Sequence, residues 1–207
     1  MLVSQTNLYA EQRKLRNWRD TNIEEMTAFL GMLVGMGLHR LPTIELYWST
    51  DPLFRVPALA HIMPVKRFKK LLDGLHLNDN SVAPRKGDDD FDKVYKVRPL
   101  IDYLNKEFQA QCVETLSQSL DEAMILFKGR SSIKQYMPLK PTKRGYKVWV
   151  RADSRSGYVY QFQIYTGREG ADEAEVGLGG RVVRDLAQPL QFKHVHVTFD
   201  NFFPHLT

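Results

Sequence analysis

Cysteine is almost missing from the chain. Cys112 alone excludes an intrachain disulfide and any cysteine-rich zinc module within these residues, and a reducing compartment fits best. Long apolar runs are missing as well: Phe29 to Leu38 is short and broken by Gly31, Gly35 and Gly37, too little to cross a bilayer. The opening Met1-Leu-Val-Ser-Gln-Thr-Asn lacks the cationic-then-apolar order of a signal peptide. The expectation is an intracellular, soluble protein with no membrane partner. No internal repeat is found, and acidic residues are absent from Lys128 to Arg151.

What is present suffices for a globular core. Of 207 residues, 43% are hydrophobic and 26% charged, enough for one large domain or two small ones. The formal net charge of +5 leans toward a polyanionic partner but is weak evidence by itself.

The first part reads as helical. Asn7 to Trp18 predicts a short polar helix or arm anchored by Leu8, Leu15 and Trp18. Thr21-Asn-Ile-Glu24 is a helix start with Thr21 as cap. Behind it Ile23, Met26, Phe29, Leu30, Leu33 and Val34 recur at helical spacing, and the glycines of this run could admit a close neighbour. A short element follows at Thr43 to Trp48. The next helix, Val65 to Leu75, carries Phe68, Leu71, Leu72 and Leu75 on one face and Lys66, Arg67, Lys69 and Lys70 elsewhere. It reads as core-packed with a solvated basic side rather than as a DNA-reading helix. Asn78 to Asp92, with Asp88-Asp-Asp90, is a loop and domain boundary. A last helix spans Val97 to Cys112, Pro99 in its first turn.

After Ser117 the pattern alternates. Leu120 to Phe127 reads as a strand buried on both faces. Tyr146, Val148 and Val150 alternate with Lys147, Trp149 and Arg151, which predicts a half-exposed strand paired in a hairpin with Tyr158 to Ile164. Gly167 to Gly180 reads as a Gly-rich loop that could hold a helical turn or more over Ala171 to Leu178, Arg181 to Leu186 as helix, His194 to Phe199 as strand, and Phe202 to Leu206 as the opening of another helix. Strand with Asp, hairpin, helix, strand ending in Asp is the opening half of a ribonuclease-H-like mixed sheet, whose first and fourth strands lie side by side. That order brings Asp121 and Asp200 together. Two carboxylates so placed repel unless a proton or cation intervenes, and Mg²⁺ accepts one or two carboxylates plus substrate phosphate.

The residues Ser119-Leu-Asp-Glu-Ala-Met124, Phe127-Lys-Gly-Arg130, Lys134-Gln-Tyr-Met-Pro-Leu-Lys-Pro141, Arg144-Gly-Tyr-Lys-Val-Trp149 and Phe199-Asp-Asn-Phe-Phe203 resemble the piggyBac transposase family and its domesticated derivatives. Upstream, Phe29-Leu-Gly-Met-Leu-Val-Gly-Met-Gly37 and Tyr47-Trp-Ser49 look like that family's helical dimerisation and DNA-binding region. The resemblance implies an α/β chain: a helical region over 1–80, an acidic linker plus helix over 81–116, and over 117–207 the first part of a ribonuclease-H-like catalytic domain. It implies cut-and-paste transposition of double-stranded DNA in the nucleus, with Mg²⁺ or Mn²⁺ held by a DDD triad, and a homodimer. Asp121 matches the first catalytic aspartate and Asp200 the second. The third lies farther downstream in the family, so the 207 residues are expected to be catalytically incomplete alone. Asp153, Asp172 and Asp185 do not sit at its matching position.

Glu122 falls on the pleat opposite Asp121 and reads as structural, and His194 and His196 read as half-buried strand histidines rather than a metal pair. The basic block is more distinctive: Lys128, Arg130, Lys134, Lys140, Lys143, Arg144 and Lys147, followed by Arg151, with Tyr136, Tyr146 and Trp149 interleaved. The first seven are candidate contacts to DNA phosphates. A non-catalytic DNA-binding or interaction module with the same surface stays as the alternative.

Overall fold

The computed structural model describes residues 1–167 and 178–200. The chain divides into two compact units, Met1–Lys86 and Gly87–Thr207.

The first unit is helical: α1 (Leu2–Gln12), α2 (Ile23–Leu38), a 3₁₀ turn (Ile44–Trp48), α3 (Pro57–Ala60) and α4 (Val65–Gly74). α1 starts five residues earlier than expected, at Leu2, and ends before Leu15 and Trp18. The cap of α2 is Asn22, not Thr21: its side chain accepts the Glu25 N–H at 2.8 Å, filling one of the unpaired donors of the first turn. Thr21 is instead tied to α1, its N–H donating to Asn7 Oδ1 and its C=O accepting from Asn7 Nδ2. The buried face of α2 carries Met26, Phe29 and Met32, which meet Met63, Phe68 and Leu71 in one apolar cluster. Ile23 and Val34, expected inside, are exposed. Of the α2 glycines, Gly35 is the one approached closely; a Cβ there would lie 3.2 Å from Leu59 of α3. Gly74 ends α4 where a Cβ would meet the Trp18 ring at 2.7 Å.

The basic side of α4 is engaged within this unit. Arg67 makes a two-pronged pair with Glu25, at 2.7 and 2.5 Å, and lies 5.3 Å over the Trp18 ring. Lys69 pairs with Glu45, and Lys70 donates to the carbonyl of Arg16 at 2.6 Å and to that of Asn17.

The second unit is a mixed sheet with a helix on each face, the ribonuclease-H-like class expected. Its elements are α5 (Arg98–Gln111), β1 (Ser117–Leu126), β2 (Gln135–Tyr136), β3 (Arg144–Asp153), β4 (Val159–Ile164), α6 (Leu178–Ala187) and β5 (His196–Phe199). β3 is central. It pairs antiparallel with β1 along nearly its whole length and, on its other edge, with β4 and the short β2. β5 joins the free edge of β1 in parallel. Gly145 stands where β1 and β3 come closest; a Cβ there would lie 1.9 Å from the Ile125 carbonyl oxygen, so no side chain fits.

One face packs Ile101 of α5 with Val94, Ile133, Tyr146, Phe162 and Ile164. The other packs Val182, Val183 and Leu186 of α6 on Leu120 and Trp149, with Val197 and Phe199 beside them. Three expectations change here. α6 begins at Leu178, so Gly179 and Gly180 are buried helical residues, not loop; packing of the helix offsets their low intrinsic propensity. Trp149 and Arg151, read as solvent-facing, are 1% and 0% exposed because α6 and the 114–118 segment cover their pleat. β1 is buried only in its first half: Ile125 and Leu126 are 51% and 61% exposed, past the end of β5. The segments 168–177 and 201–207, including the helix expected from Phe202, lie outside the described residues.

The Arg67 hydrogen bonds hold the Glu25 carboxyl below its ordinary value of 4.5, at about 2, against the opposing effect of burial. A carboxyl whose pKa is depressed on folding stabilises above its unfolded pKa and loses that contribution as pH falls. The stability difference between wild type and Glu25→Gln is therefore expected to shrink as pH drops from 4.5 to about 2, measured by denaturant unfolding of both proteins.

Candidate functional site

The register of β5 on β1 runs from Ser117 opposite His196 to Leu120 opposite Phe199. Asp121 and Asp200 each follow the last pair by one residue, so their carboxylates leave adjoining parallel strands at the same level. Glu122 comes next along β1, opposite Trp149 of β3. One carboxylate oxygen from each of Asp121, Glu122 and Asp200 lies within 4.8 Å of the others. The expectation that Glu122 stands apart from this group is corrected. Alternation along β1 holds, but the three residues sit just beyond the final β1–β5 pair, and their carboxylates come together there. Asp121 Oδ1 also accepts the Glu122 N–H at 2.7 Å, which draws its carboxylate toward that neighbour.

Two lysines complete the electrostatics. Lys140 lies in the turn between β2 and β3, closed by Met137 N–H donating to the Lys143 carbonyl at 2.8 Å and Lys140 N–H to the Met137 carbonyl at 3.2 Å. Its Nζ reaches Glu122 Oε1 at 3.0 Å. That hydrogen bond pushes Lys140 above its ordinary pKa; burial opposes it, and the charges of Glu122, Asp121 and Asp200 add to it. Lys147 stands on β3 with Nζ 3.8 Å from the centre of the Trp149 ring. Burial, foremost, pushes it below its ordinary value, against the pull of the same three carboxylates.

The rest of the basic block lies mostly at the surface. Lys128, Arg130, Lys143 and Arg144 are exposed, and Arg144 stacks 5.1 Å over the ring of Tyr136. Lys134 is half-buried and donates to the Gly129 carbonyl at 2.6 Å.

A family model described as Transposase IS4 matches residues 1–206. Two human proteins, PiggyBac transposable element-derived protein 3 and PiggyBac transposable element-derived protein 2, are each 30% identical over 98% of this chain. A solved structure, the cryo-EM structure of piggyBac transposase synaptic complex with hairpin DNA, matches with a TM-score of 0.83 at 26% identity, over 99% of this chain and 43% of that chain. This chain belongs to the piggyBac transposase family. It spans about a third of the curated relatives, 34% and 33% of their lengths.

The other acidic residues are occupied elsewhere. Asp153 is fully engaged as a turn cap between β3 and β4: it accepts from the Ser156 hydroxyl and N–H, both at 2.6 Å, and from Thr115. Hydrogen bonds from Ser156, then Thr115, hold it well below the usual carboxylate range. Asp185 pairs with Arg181 one helical turn away, and Asp172 lies outside the described residues. His194 and His196 are exposed rather than half-buried. Among the described residues, neither belongs to a cluster of three metal-ligating side chains.

Arg151, the end of the basic block, faces the interior. It donates to Glu114 at 2.7 Å and to Gln118 at 2.6 Å, and Glu114 also accepts from Lys193 at 2.6 Å. Sequence reasoning missed Glu114 because nothing in its spacing marks a partner nearly forty residues away. The Glu122–Lys140 pair was missed for the same reason: a long loop separates its members. Removing Arg151 leaves Glu114 with Lys193 as a remaining cation and takes the buried donor from Gln118 Oε1, a loss of about 1–3 kcal/mol. Arg151→Met is expected to lose that much unfolding free energy in denaturant titration, while the variant, still folded at low temperature, keeps wild-type affinity for duplex DNA.

Proposed function

We propose that this chain carries the first two metal ligands and part of the DNA-contacting surface of a piggyBac-type transposase. The observation that carries the reading is the parallel register that sets Asp121 beside Asp200. The donor set fits a hard divalent cation, since every donor is a carboxylate oxygen. Ligand oxygens at about 2.1 Å from Mg²⁺ are separated by up to about 4.2 Å, so oxygens within 4.8 Å of one another need at most a small closure.

When bound, Mg²⁺ or Mn²⁺ supplies activation of water or a 3′-hydroxyl and stabilisation of the leaving oxygen. The chain's own residues do the rest. Asp121 and Asp200 would hold the ion; Lys128, Arg130, Lys143 and Arg144 would hold duplex phosphates along the basic block. That the matching solved structure is of a synaptic complex with hairpin DNA supports duplex DNA as partner. A nuclear location follows from that substrate. A homodimer through the helical unit belongs to the same reading, because α2 leaves Ile23, Val34 and Leu38 exposed.

The names of the human relatives, transposable element-derived proteins, favour a second reading in which the DNA surface serves without chemistry. DNA affinity indifferent to chelator and to Asp121→Asn would support it.

Mn²⁺ titration followed by electron paramagnetic resonance tests the first reading. Asp121→Asn and Asp200→Asn are each expected to weaken binding about tenfold or more; unchanged affinity in both would overturn it. Lys143→Glu/Arg144→Glu is expected to weaken DNA binding at least about tenfold in low salt.

A further inference from the structure

Within the basic block, Lys140 is seated directly on a carboxylate of the acidic cluster. The pair is protected: the Glu122 side chain is 11% exposed and that of Lys140 32%, with 3.0 Å between Nζ and Oε1. Glu122 offers its oxygen within 4.8 Å of those of Asp121 and Asp200, so the ammonium stands within the field of all three. The second nearby cation, Lys147, is placed differently, with its Nζ over the Trp149 ring. The turn that carries Lys140 passes directly into Lys143 and Arg144, both exposed.

We propose that Lys140 is a built-in counter-cation of the Asp121–Glu122–Asp200 cluster, which a divalent ion displaces, so that metal entry releases the ammonium toward a DNA phosphate. The inference rests on the metal reading of Asp121 and Asp200 and assigns Lys140 a positioning role in it. The physical argument is one of charge. Three carboxylates so close together are tolerable only with cations among them, and Glu122 is satisfied by Lys140. A dication bound at the same edge sits a few ångströms from a fixed ammonium and is repelled, a cost that Coulomb's law makes substantial at partly buried sites. Moving Lys140 out removes this repulsion and leaves Glu122 free as a third oxygen donor. The departing ammonium lies on the loop that already faces phosphate, where it adds one contact. Metal and DNA are thereby coupled with the same sign in both directions, as linkage requires.

The test is Mn²⁺ binding by the full 207-residue chain without DNA, read by electron paramagnetic resonance, in wild type, Lys140→Gln, Lys140→Arg, Asp121→Asn and Asp200→Asn. Lys140→Gln is expected to bind Mn²⁺ about three- to tenfold more tightly than wild type, while Lys140→Arg, which keeps the charge, stays near wild type. A second readout is the affinity for a short duplex oligonucleotide in Mn²⁺ against chelator: wild type is expected to gain about threefold or more with Mn²⁺, and Lys140→Gln to gain less. Lys140 sits on a half-exposed turn, so these variants are expected to unfold like wild type. Equal or weaker Mn²⁺ binding by Lys140→Gln, with Asp121→Asn still harmful, overturns the counter-cation alone. If Asp121→Asn and Asp200→Asn both leave Mn²⁺ binding unchanged, the metal reading fails and takes this inference with it.

Discussion

The second unit depends on the pairing of β5 with β1. Four residue pairs, Ser117–His196 to Leu120–Phe199, align two distant parts of the chain in parallel. Parallel strands cannot be joined by a tight turn, so this alignment needs a crossover. The helix leading into β5 is α6, and its apolar face sits on Leu120 and Trp149 beside Val197 and Phe199. Burial of those side chains therefore sets the register, and the register sets where the two aspartates stand. A slip of one residue would send Asp121 and Asp200 to opposite pleats.

The same packing explains how polar groups share the sheet. On the α6 side, Arg151 is fully enclosed and answered by Glu114 and Gln118. At the β3–β4 turn, Asp153 is answered by Ser156 and Thr115. At the open end, Glu122 is answered by Lys140, next to two exposed aspartates. Glu114, Asp153 and Glu122 thus find partners inside the fold, and Asp121 and Asp200 are exposed to solvent.

Much of this is legible in sequence, for identifiable reasons. Alternation of Tyr146, Val148 and Val150 marks a strand whatever its surroundings, and the run from Ser119 to Asp121 together with Phe199-Asp200 points to adjoining strands. Burial is harder to read. Trp149 and Arg151 read as solvent-facing because Lys147 shares their pleat; the cover from α6 and Glu114 comes from elsewhere in the chain and leaves no trace in local periodicity. Leu120 to Phe127 reads as doubly buried, yet β5 is too short to cover its second half. The cap of α2 lies one residue later than read because Thr21 and Asn22 are both good caps, and the tie between Asn7 and Thr21 decides between them.

Burial of Arg151 has a consequence for solution electrostatics. Of the eight cations from Lys128 to Arg151, the interior removes one, so at most seven are available to exchange places with condensed counterions on a duplex. If that surface holds a duplex as proposed, the release of sodium from it has a ceiling of about six ions per binding event, and any steeper dependence on ionic strength has to come from charges elsewhere on the molecule.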